Sequence, residues 1–179
     1  FINCRAGIGG AIYVHGTNTD SNRHSNIVDC NFINCEATEW GGAIGSSQDY
    51  LNVENCNFIN NSAKQGAAFM VGGITHGLDG NNSQGHYNTM KNCYFYNNTG
   101  SEEGGAVHIT GHYNSAIDCI FDDNFAINGK GAAIYVEGNH ASIDGSSFTN
   151  HQSDMGTVYI EGNYFNCSDS IFNGNVASH

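Results

Sequence analysis

The chain has 179 residues, enough for one domain, and it combines 24 glycines and no proline with only 12% charged residues. Its formal net charge of -12 makes nucleic acid and anionic membrane surfaces unfavourable partners, because both are negatively charged. The 39% hydrophobic and 11% aromatic residues supply enough apolar surface for a folded core. No stretch of about 18 apolar residues predicts a membrane span.

Two short signatures alternate along the whole chain. The first is a Phe followed three residues later by Cys, Asn or His, and it starts at Phe1, Phe32, Phe58, Phe95, Phe121, Phe148 and Phe172. The second is a pair of small residues before an apolar segment, and it starts at Gly9, Gly41, Gly66, Gly104, Gly131 and Met155. Most units span 24 to 27 residues, which is typical of one turn of a parallel β-helix.

Two units, of 31 and 37 residues, are longer than the rest. They predict loop insertions at residues 15–26 and 72–88, both after the same strand and both rich in turn-forming residues. The fold class is therefore all-β: a single right-handed parallel β-helix over residues 1–179, with about seven coils. Because no capping repeat is visible at either end, we expect the chain to be an excerpt of a longer repeat protein.

Alignment of the units predicts rows of inward side chains. The strand after the glycine signature carries two apolar rows: Ile12, Ile44, Phe69, Val107, Ile134 and Val158, and then Val14, Val71, Ile109, Val136 and Ile160, with Ser46 as the exception. A second strand carries the Phe row, preceded two residues earlier by Cys30, Cys56, Cys93, Cys119, Ser146 and Ser170. Stacked turns would bury all of these rows.

A polar column lies two residues after the Phe row: Asn3, Asn34, Asn60, Asn97, Asp123 and Asn150. An amide at a bend can bond both the backbone and the next amide along the stack, so this column predicts a buried asparagine ladder. An amide-lined binding groove is the functional alternative.

The signatures, such as FINN at Phe58 and FYNN at Phe95 with GGAI at Gly41 and GGAV at Gly104, resemble the repeats of the chlamydial polymorphic outer-membrane proteins. The Asn-rich, Cys-containing sequence is also similar to adhesin-like surface proteins of methanogenic archaea. The resemblance implies a right-handed parallel β-helix displayed on a microbial surface, with a role in adhesion or surface coating. The first signature departs from FxxN at Phe1 and Phe32, where the fourth residue is Cys, and at Phe148, where it is His. The second departs from GGAI at Gly66, which reads GAAF, and at Gly156, which reads GTVY.

The seven cysteines obey the repeat. Neighbours in a row would have Cα atoms about 5 Å apart, which allows the pairs Cys4–Cys35, Cys30–Cys56 and Cys93–Cys119 as disulfides. The alternative is that they are buried thiols in the position that Ser occupies in other turns. No CxxC or HExxH spacing is present, so no metal site is expected among the cysteines and histidines, and no cofactor is expected.

An outward row lies between the two apolar rows of the glycine-signature strand. Its aromatic members could stack against sugar rings, and the candidate ligand-binding residues are Tyr13, His108, Tyr135 and Tyr159. Aromatic packing on the surface without any ligand is the alternative.

Other candidate chemistry is sparse. Asp118, Asp122 and Asp123 are the nearest approach to a polysaccharide-cleaving acid cluster, but adjacent residues of an extended segment point to opposite faces. The stretch DGNNSQG from Asp79 is a calcium candidate without EF-hand spacing. Asn81, in an NNS triplet, is the candidate glycosylation site.

These observations predict a non-enzymatic extracellular or cell-surface protein acting in adhesion or surface display. The partners expected are glycans or proteins of a host or neighbouring cell, together with end-to-end self-association, but not nucleic acid or inserted membrane. A structural subunit of an extracellular filament or sheath, and a polysaccharide-degrading β-helix enzyme, are the alternatives.

Overall fold

The computed structural model describes residues 1–16, 24–72 and 85–179. In these residues the chain forms 25 short strands and no helix. Consequently, the described part has no helix of the length and apolar character needed to cross a membrane.

The strands follow one another in turns of four. A first partial turn contains β1 (Arg5–Ile8) and β2 (Ile12–Val14). The next two turns contain β3 (Ser25–Val28), β4 (Asn31–Ile33), β5 (Glu36–Trp40), β6 (Ile44–Ser46), β7 (Leu51–Glu54), β8 (Asn57–Ile59), β9 (Ser62–Gln65) and β10 (Phe69–Val71). Two further turns contain β11 (Thr89–Lys91), β12 (Tyr94–Tyr96), β13 (Thr99–Glu103), β14 (Val107–Ile109), β15 (Ser115–Ile117), β16 (Ile120–Asp122), β17 (Phe125–Lys130) and β18 (Ile134–Val136). The last complete turn and a final partial turn contain β19 (Ser142–Asp144), β20 (Ser147–Thr149), β21 (Gln152–Met155), β22 (Val158–Ile160), β23 (Asn166–Ser168), β24 (Ile171–Asn173) and β25 (Val176–Ala177).

Each strand pairs in parallel with the equivalent strand of the next turn, which gives four sheets. Sheet 1 has seven strands (β1-β5-β9-β13-β17-β21-β25), and sheets 2, 3 and 4 have six each and start at β2, β3 and β4. The predicted parallel β-helix is confirmed. Five turns are complete, fewer than the seven coils predicted, because the units at the two ends contribute only partial turns.

The predicted inward rows are confirmed by the strand register. The Phe row runs through sheet 4, where ring centroids of successive turns lie 4.6 to 5.0 Å apart and ring planes differ by 3 to 8°. The two apolar rows of the glycine-signature strand are in register through sheet 2, including the exception at Ser46. Stacked phenyl rings in parallel planes therefore form the centre of the core.

The bends between sheets explain why one turn closes in so few residues. Each bend holds a column of residues with positive φ, which L side chains adopt with difficulty and which Gly, Asn and Asp adopt most easily. Gly fills the bend between sheets 1 and 2, for example Gly104 with φ 66°. Asp, Asn and one Gly fill the bend between sheets 3 and 4, for example Asp29 with φ 54°. Because this bend separates Val28 from Asn31, the segment before the Phe row is a separate strand that the sequence did not predict.

The predicted asparagine ladder exists, but the buried column lies one residue further along the chain. The predicted column forms the bend between sheets 4 and 1, with φ between 51 and 59° at Asn3, Asn34, Asn60, Asn97, Asp123 and Asn150. Its side chains bond along the outside, as where Asn97 Nδ2 donates to Asn60 Oδ1 at 2.8 Å, and Asn60 is exposed. The prediction that Asn60 and Asn97 are buried is wrong, because a left-handed residue turns its side chain outward and the following side chain inward.

The buried ladder consists of Asn61, Asn98 and Asn124, continued by His151 and Asn175. Asn98 Oδ1 accepts hydrogen bonds from the backbone N–H and the Nδ2 of Asn61, both at 3.0 Å. Asn98 Nδ2 donates to the Phe58 carbonyl at 3.0 Å. These amides satisfy backbone groups that the bend would otherwise bury without partners.

Candidate functional site

The outward row of sheet 2 has the predicted register but not the predicted exposure. His108 pairs with Tyr135, and Tyr135 pairs with Tyr159. However, only 1% of His108 and 2% of Tyr135 is exposed, so neither ring can stack on a sugar. Tyr13 is 44% exposed and Tyr159 is partly buried, and ligand binding by these two residues stays a prediction.

The middle of the row, from Gly45 to Tyr135, is buried because the ends of sheet 1 strands lie over it. A Cβ placed on Gly45, which belongs to this row, would lie 2.9 Å from Ile8 Cγ2 at the end of β1. The ends of two later sheet 1 strands also lie over this face: Glu103 of β13 is close to His108, and Lys130 Nζ of β17 is 6.0 Å from the ring centroid of Tyr135. A polar layer therefore covers His108 and Tyr135.

Towards the C-terminal turns of this layer, an ion pair lies over Tyr135 and Tyr159. Lys130 Nζ is 3.1 Å from Glu161 Oε1 and 4.8 Å from the ring centroid of Tyr159. Burial, and then the negative charge of Glu103, raises the pKa of Tyr135 above its ordinary value, so this phenol stays protonated. The layer is thus rich in negative charge.

One turn earlier, Glu103, His108 and Glu137 come together, and their ligand atoms all lie within 4.8 Å of one another. His108 Nε2 lies 3.4 Å from Glu137 Oε1, but neither ring nitrogen of His108 has a hydrogen-bond partner. We call these three residues the Glu–His–Glu cluster. No spacing motif in the sequence indicates this cluster, because its members come from β13, β14 and the segment after β18.

The structure also reveals a largely exposed column that the sequence analysis missed. Aromatic and imidazole rings stack along the bend between sheets 2 and 3, and we call this column the aromatic ladder: His24, Tyr50, Tyr87, Tyr113, His140 and Tyr164. Ring centroids of neighbours are 4.6 to 5.1 Å apart. The ring planes from Tyr50 onward differ by only 4 to 9°, whereas His24 is tilted by 52° from Tyr50.

The backbone of the aromatic ladder is strained. From Tyr50 to Tyr164 every member has φ between 57 and 59°, a left-handed conformation that costs a bulky residue roughly 1–2 kcal/mol. Stacking offsets part of this cost, at roughly 0.5–1.5 kcal/mol per ring pair. Tyr87 and Tyr113 are each 46% exposed and Tyr164 is 77% exposed. The tripeptide His-Tyr-Asn, which recurs at His86 and His112, is the sequence signal that could have indicated this column.

The cysteines are all unpaired, so the predicted disulfides Cys4–Cys35, Cys30–Cys56 and Cys93–Cys119 are not formed. Six of the seven thiols instead donate to backbone carbonyls, as Cys93 Sγ does to Lys91 O at 3.3 Å. Ser146 Oγ makes the equivalent bond to Asp144 O at 3.1 Å, which supports the alternative that Cys and Ser fill the same position. The neighbouring Cys119 thiol, together with burial, raises the pKa of Cys93 to about 12.

The three aspartates form no acid cluster of the required kind. Asp118 and Asp123 are bend residues with φ 51 and 54°, and Asp122 lies on β16, where its Oδ1 accepts from Asn150 Nδ2 at 3.3 Å. Within the described ranges, these carboxylates are not part of any group of three close metal-ligating atoms. Asn81, most of the calcium candidate from Asp79 and the central parts of both loop insertions lie outside the described residues.

Comparison with known proteins supports the resemblance seen in the sequence. Residues 92–110 and 118–137 match the Chlamydia polymorphic membrane protein (Chlamydia_PMP) repeat. The two matched segments belong to successive turns, and each includes one Phe signature and one glycine signature. No curated protein and no solved structure matches the chain.

Proposed function

We propose that this chain is part of a non-enzymatic, surface-displayed β-solenoid that adheres to neutral glycans through the aromatic ladder. The similarity of two turns to the polymorphic membrane protein repeat supports display at a cell surface. The solenoid itself serves as a rigid support, since every turn is hydrogen-bonded to its neighbours through four parallel sheets.

One observation carries the adhesive role. Five successive turns place an aromatic or imidazole ring in a strained conformation at an exposed bend, from Tyr50 to Tyr164. The other bends of the same solenoid use Gly, Asn and Asp, which adopt positive φ with less strain. Folding therefore does not require rings at this bend, and an exposed row of rings has a use at the surface.

The geometry suits a repeating ligand. Each ring is held by its stacked neighbours, so little conformational freedom is lost when a ligand contacts its exposed edge and hydroxyl group. Equivalent contacts recur in each turn about 4.8 Å apart, and many weak contacts along one polymer add to a strong attachment. The net charge of -12 favours neutral glycans over acidic ones.

The proposal is tested on a panel of neutral and acidic glycans with the purified chain and a Tyr87→Asn/Tyr113→Asn double variant. Asn suits a left-handed bend, so the double variant keeps the backbone while removing two rings from the middle of the ladder. Wild-type protein is expected to be retained by neutral glycans, and the double variant to lose most of this retention.

Tyr96→Asn is the matched control, because Tyr96 lies on β12 in sheet 4 and outside the aromatic ladder. Equal retention of the double variant and wild type would contradict the role of the ladder. Absence of retention of the wild-type chain by every glycan would contradict the glycan assignment. Shortened glycan chains, detected by mass spectrometry after incubation, would contradict the non-enzymatic assignment.

A further inference from the structure

We propose that the Glu–His–Glu cluster binds one divalent metal ion that accepts mixed nitrogen and oxygen ligands, such as Mn²⁺ or Zn²⁺. This site is separate from the aromatic ladder, since the cluster lies on the outer face of sheet 2 beneath the ends of the sheet 1 strands. The proposal is independent of glycan binding.

Two successive turns differ in the charge of the residue at the end of the sheet 1 strand. Strand register places Lys130 in the position that Glu103 occupies one turn earlier. In the later turn, the Lys130 ammonium reaches Glu161 at 3.1 Å and closes over the outer face of sheet 2. The later turn thus satisfies its carboxylate with a cation supplied by the chain.

The earlier turn has the same strand register, but a negatively charged residue, Glu103, takes the place of Lys130. Glu137 follows Val136 as Glu161 follows Ile160, the register partner of Val136, so Glu137 is the equivalent carboxylate. Glu103 now faces it in place of a lysine, and their oxygens lie within 4.8 Å of each other and of a His108 nitrogen. A bound divalent ion would take the position that the ammonium group occupies one turn later.

His108 supplies an independent observation that points to a ligand. Its side chain is buried, with 1% exposed, and neither Nδ1 nor Nε2 makes a hydrogen bond. A buried imidazole whose ring nitrogens make no hydrogen bond is costly, and coordination of a metal by one ring nitrogen removes part of that cost. The equivalent residue of the next turn is Tyr135, so the imidazole is not a requirement of the fold at this position.

The donor set determines the class of ion. One imidazole nitrogen and two carboxylates are ligands for first-row transition metals, whereas Ca²⁺ prefers oxygen alone. Metal–ligand distances of about 2.1 Å place tetrahedral ligand atoms roughly 3.4 Å apart, so separations of up to 4.8 Å must contract by up to about 1.4 Å. Glu137 is partly accessible, with 38% of its side chain exposed, and rotation of its side chain can supply that movement. Gln65 Nε2 donates to Glu103 Oε2 at 3.1 Å and orients that carboxylate from the turn before.

Mn²⁺ is the probe of choice, because the seven free thiols would compete for Zn²⁺ but are poor ligands for Mn²⁺. Binding is followed by electron paramagnetic resonance of the free ion and by the melting temperature of the chain. We expect one equivalent of Mn²⁺ to bind to wild type and raise the melting temperature. Glu103→Lys and His108→Tyr each copy the residue of the next turn, so both are compatible with the fold. Each is expected to weaken binding roughly 100-fold or more.

Glu102→Lys is the matched control. Glu102 is an exposed neighbour on the same strand and outside the cluster, and the substitution changes the net charge by the same amount as Glu103→Lys. Affinity retained in Glu102→Lys and lost in Glu103→Lys supports the site. Absence of saturable binding by wild type, or equal binding by wild type and folded Glu103→Lys, would overturn it.

Discussion

His151 makes the stability of the solenoid depend on pH. It is fully buried and occupies the column of the buried asparagine ladder. Its Nδ1 accepts a hydrogen bond from the Asn124 backbone N–H at 3.0 Å, which requires an unprotonated nitrogen. Burial lowers the pKa of His151 to about 4, from an ordinary value of 6.5. The unfolded chain therefore binds a proton at this residue between pH 6.5 and pH 4, whereas the folded chain does not.

The sign and size of the effect follow from proton linkage. Because the unfolded state binds more protons in this range, the free energy of unfolding falls as the pH falls through 6.5 towards 4. At 1.36 kcal/mol for each pKa unit, the loss is about 2 kcal/mol between pH 7 and pH 5 and about 3 kcal/mol by pH 4.

His151→Asn is the informative substitution, because the neighbouring turns have Asn in this column. Its Oδ1 can accept from the Asn124 N–H, and its Nδ2 can donate to the Phe121 carbonyl, as Asn124 Nδ2 does to the Phe95 carbonyl at 2.9 Å. Urea unfolding at pH 7 and pH 5 measures the free energy of each protein. The decrease between the two pH values is expected to be about 2 kcal/mol smaller in the variant than in wild type, with exposed His179→Asn behaving like wild type. Equal decreases in wild type and His151→Asn would refute the reasoning.

Three further predictions concern the ladders and the thiols. Asn98→Ala leaves buried backbone groups without partners and should lower the free energy of unfolding by about 3–5 kcal/mol. Asn97→Ala, in the outer column, should lower it by only about 1 kcal/mol. Similar losses for the two variants in urea unfolding would contradict the assignment of the buried ladder. In the native protein a thiol reagent should modify the exposed Cys167 rapidly. Cys93 is buried and its pKa is raised, so the reagent should modify it only after the protein unfolds. Peptide mapping that finds Cys93 modified first would contradict this prediction. Tyr113→Asn loses ring stacking but relieves backbone strain, so the free energy of unfolding of this variant should stay within about 1 kcal/mol of wild type. A loss of several kcal/mol would show that the aromatic ladder is needed for folding.

The repeat predicted the architecture because a solenoid converts sequence period directly into spatial stacking. Phe32 and Phe58 are 26 residues apart in the chain, and their rings lie 5.0 Å apart. The position of the buried ladder was less accessible, because it depends on which residue of a pair adopts positive φ. Asn60 and Asn61 are chemically identical, and only the bend decides that Asn61 faces inward.

The candidate sites were harder to predict than the fold. Alternation along β14 correctly directs His108 outward, yet it does not reveal that the end of the sheet 1 strand covers it. The Glu–His–Glu cluster unites residues of two turns, so it has no local motif. The aromatic ladder could not be predicted from strand patterns, because its members lie in a bend and residues such as Tyr113 do not continue any strand. The column also mixes Tyr with His, so no single residue type marks it in the repeat.

Fluorine NMR of the chain labelled with fluorotyrosine tests the adhesive surface most directly. The chain has nine tyrosines, and four of them, Tyr50, Tyr87, Tyr113 and Tyr164, belong to the aromatic ladder. On titration with the neutral glycan that retains the protein, the signals of these four are expected to shift together, while that of buried Tyr135 stays in place. Shifts confined to Tyr13 and Tyr159, with the ladder signals unchanged, would contradict the account.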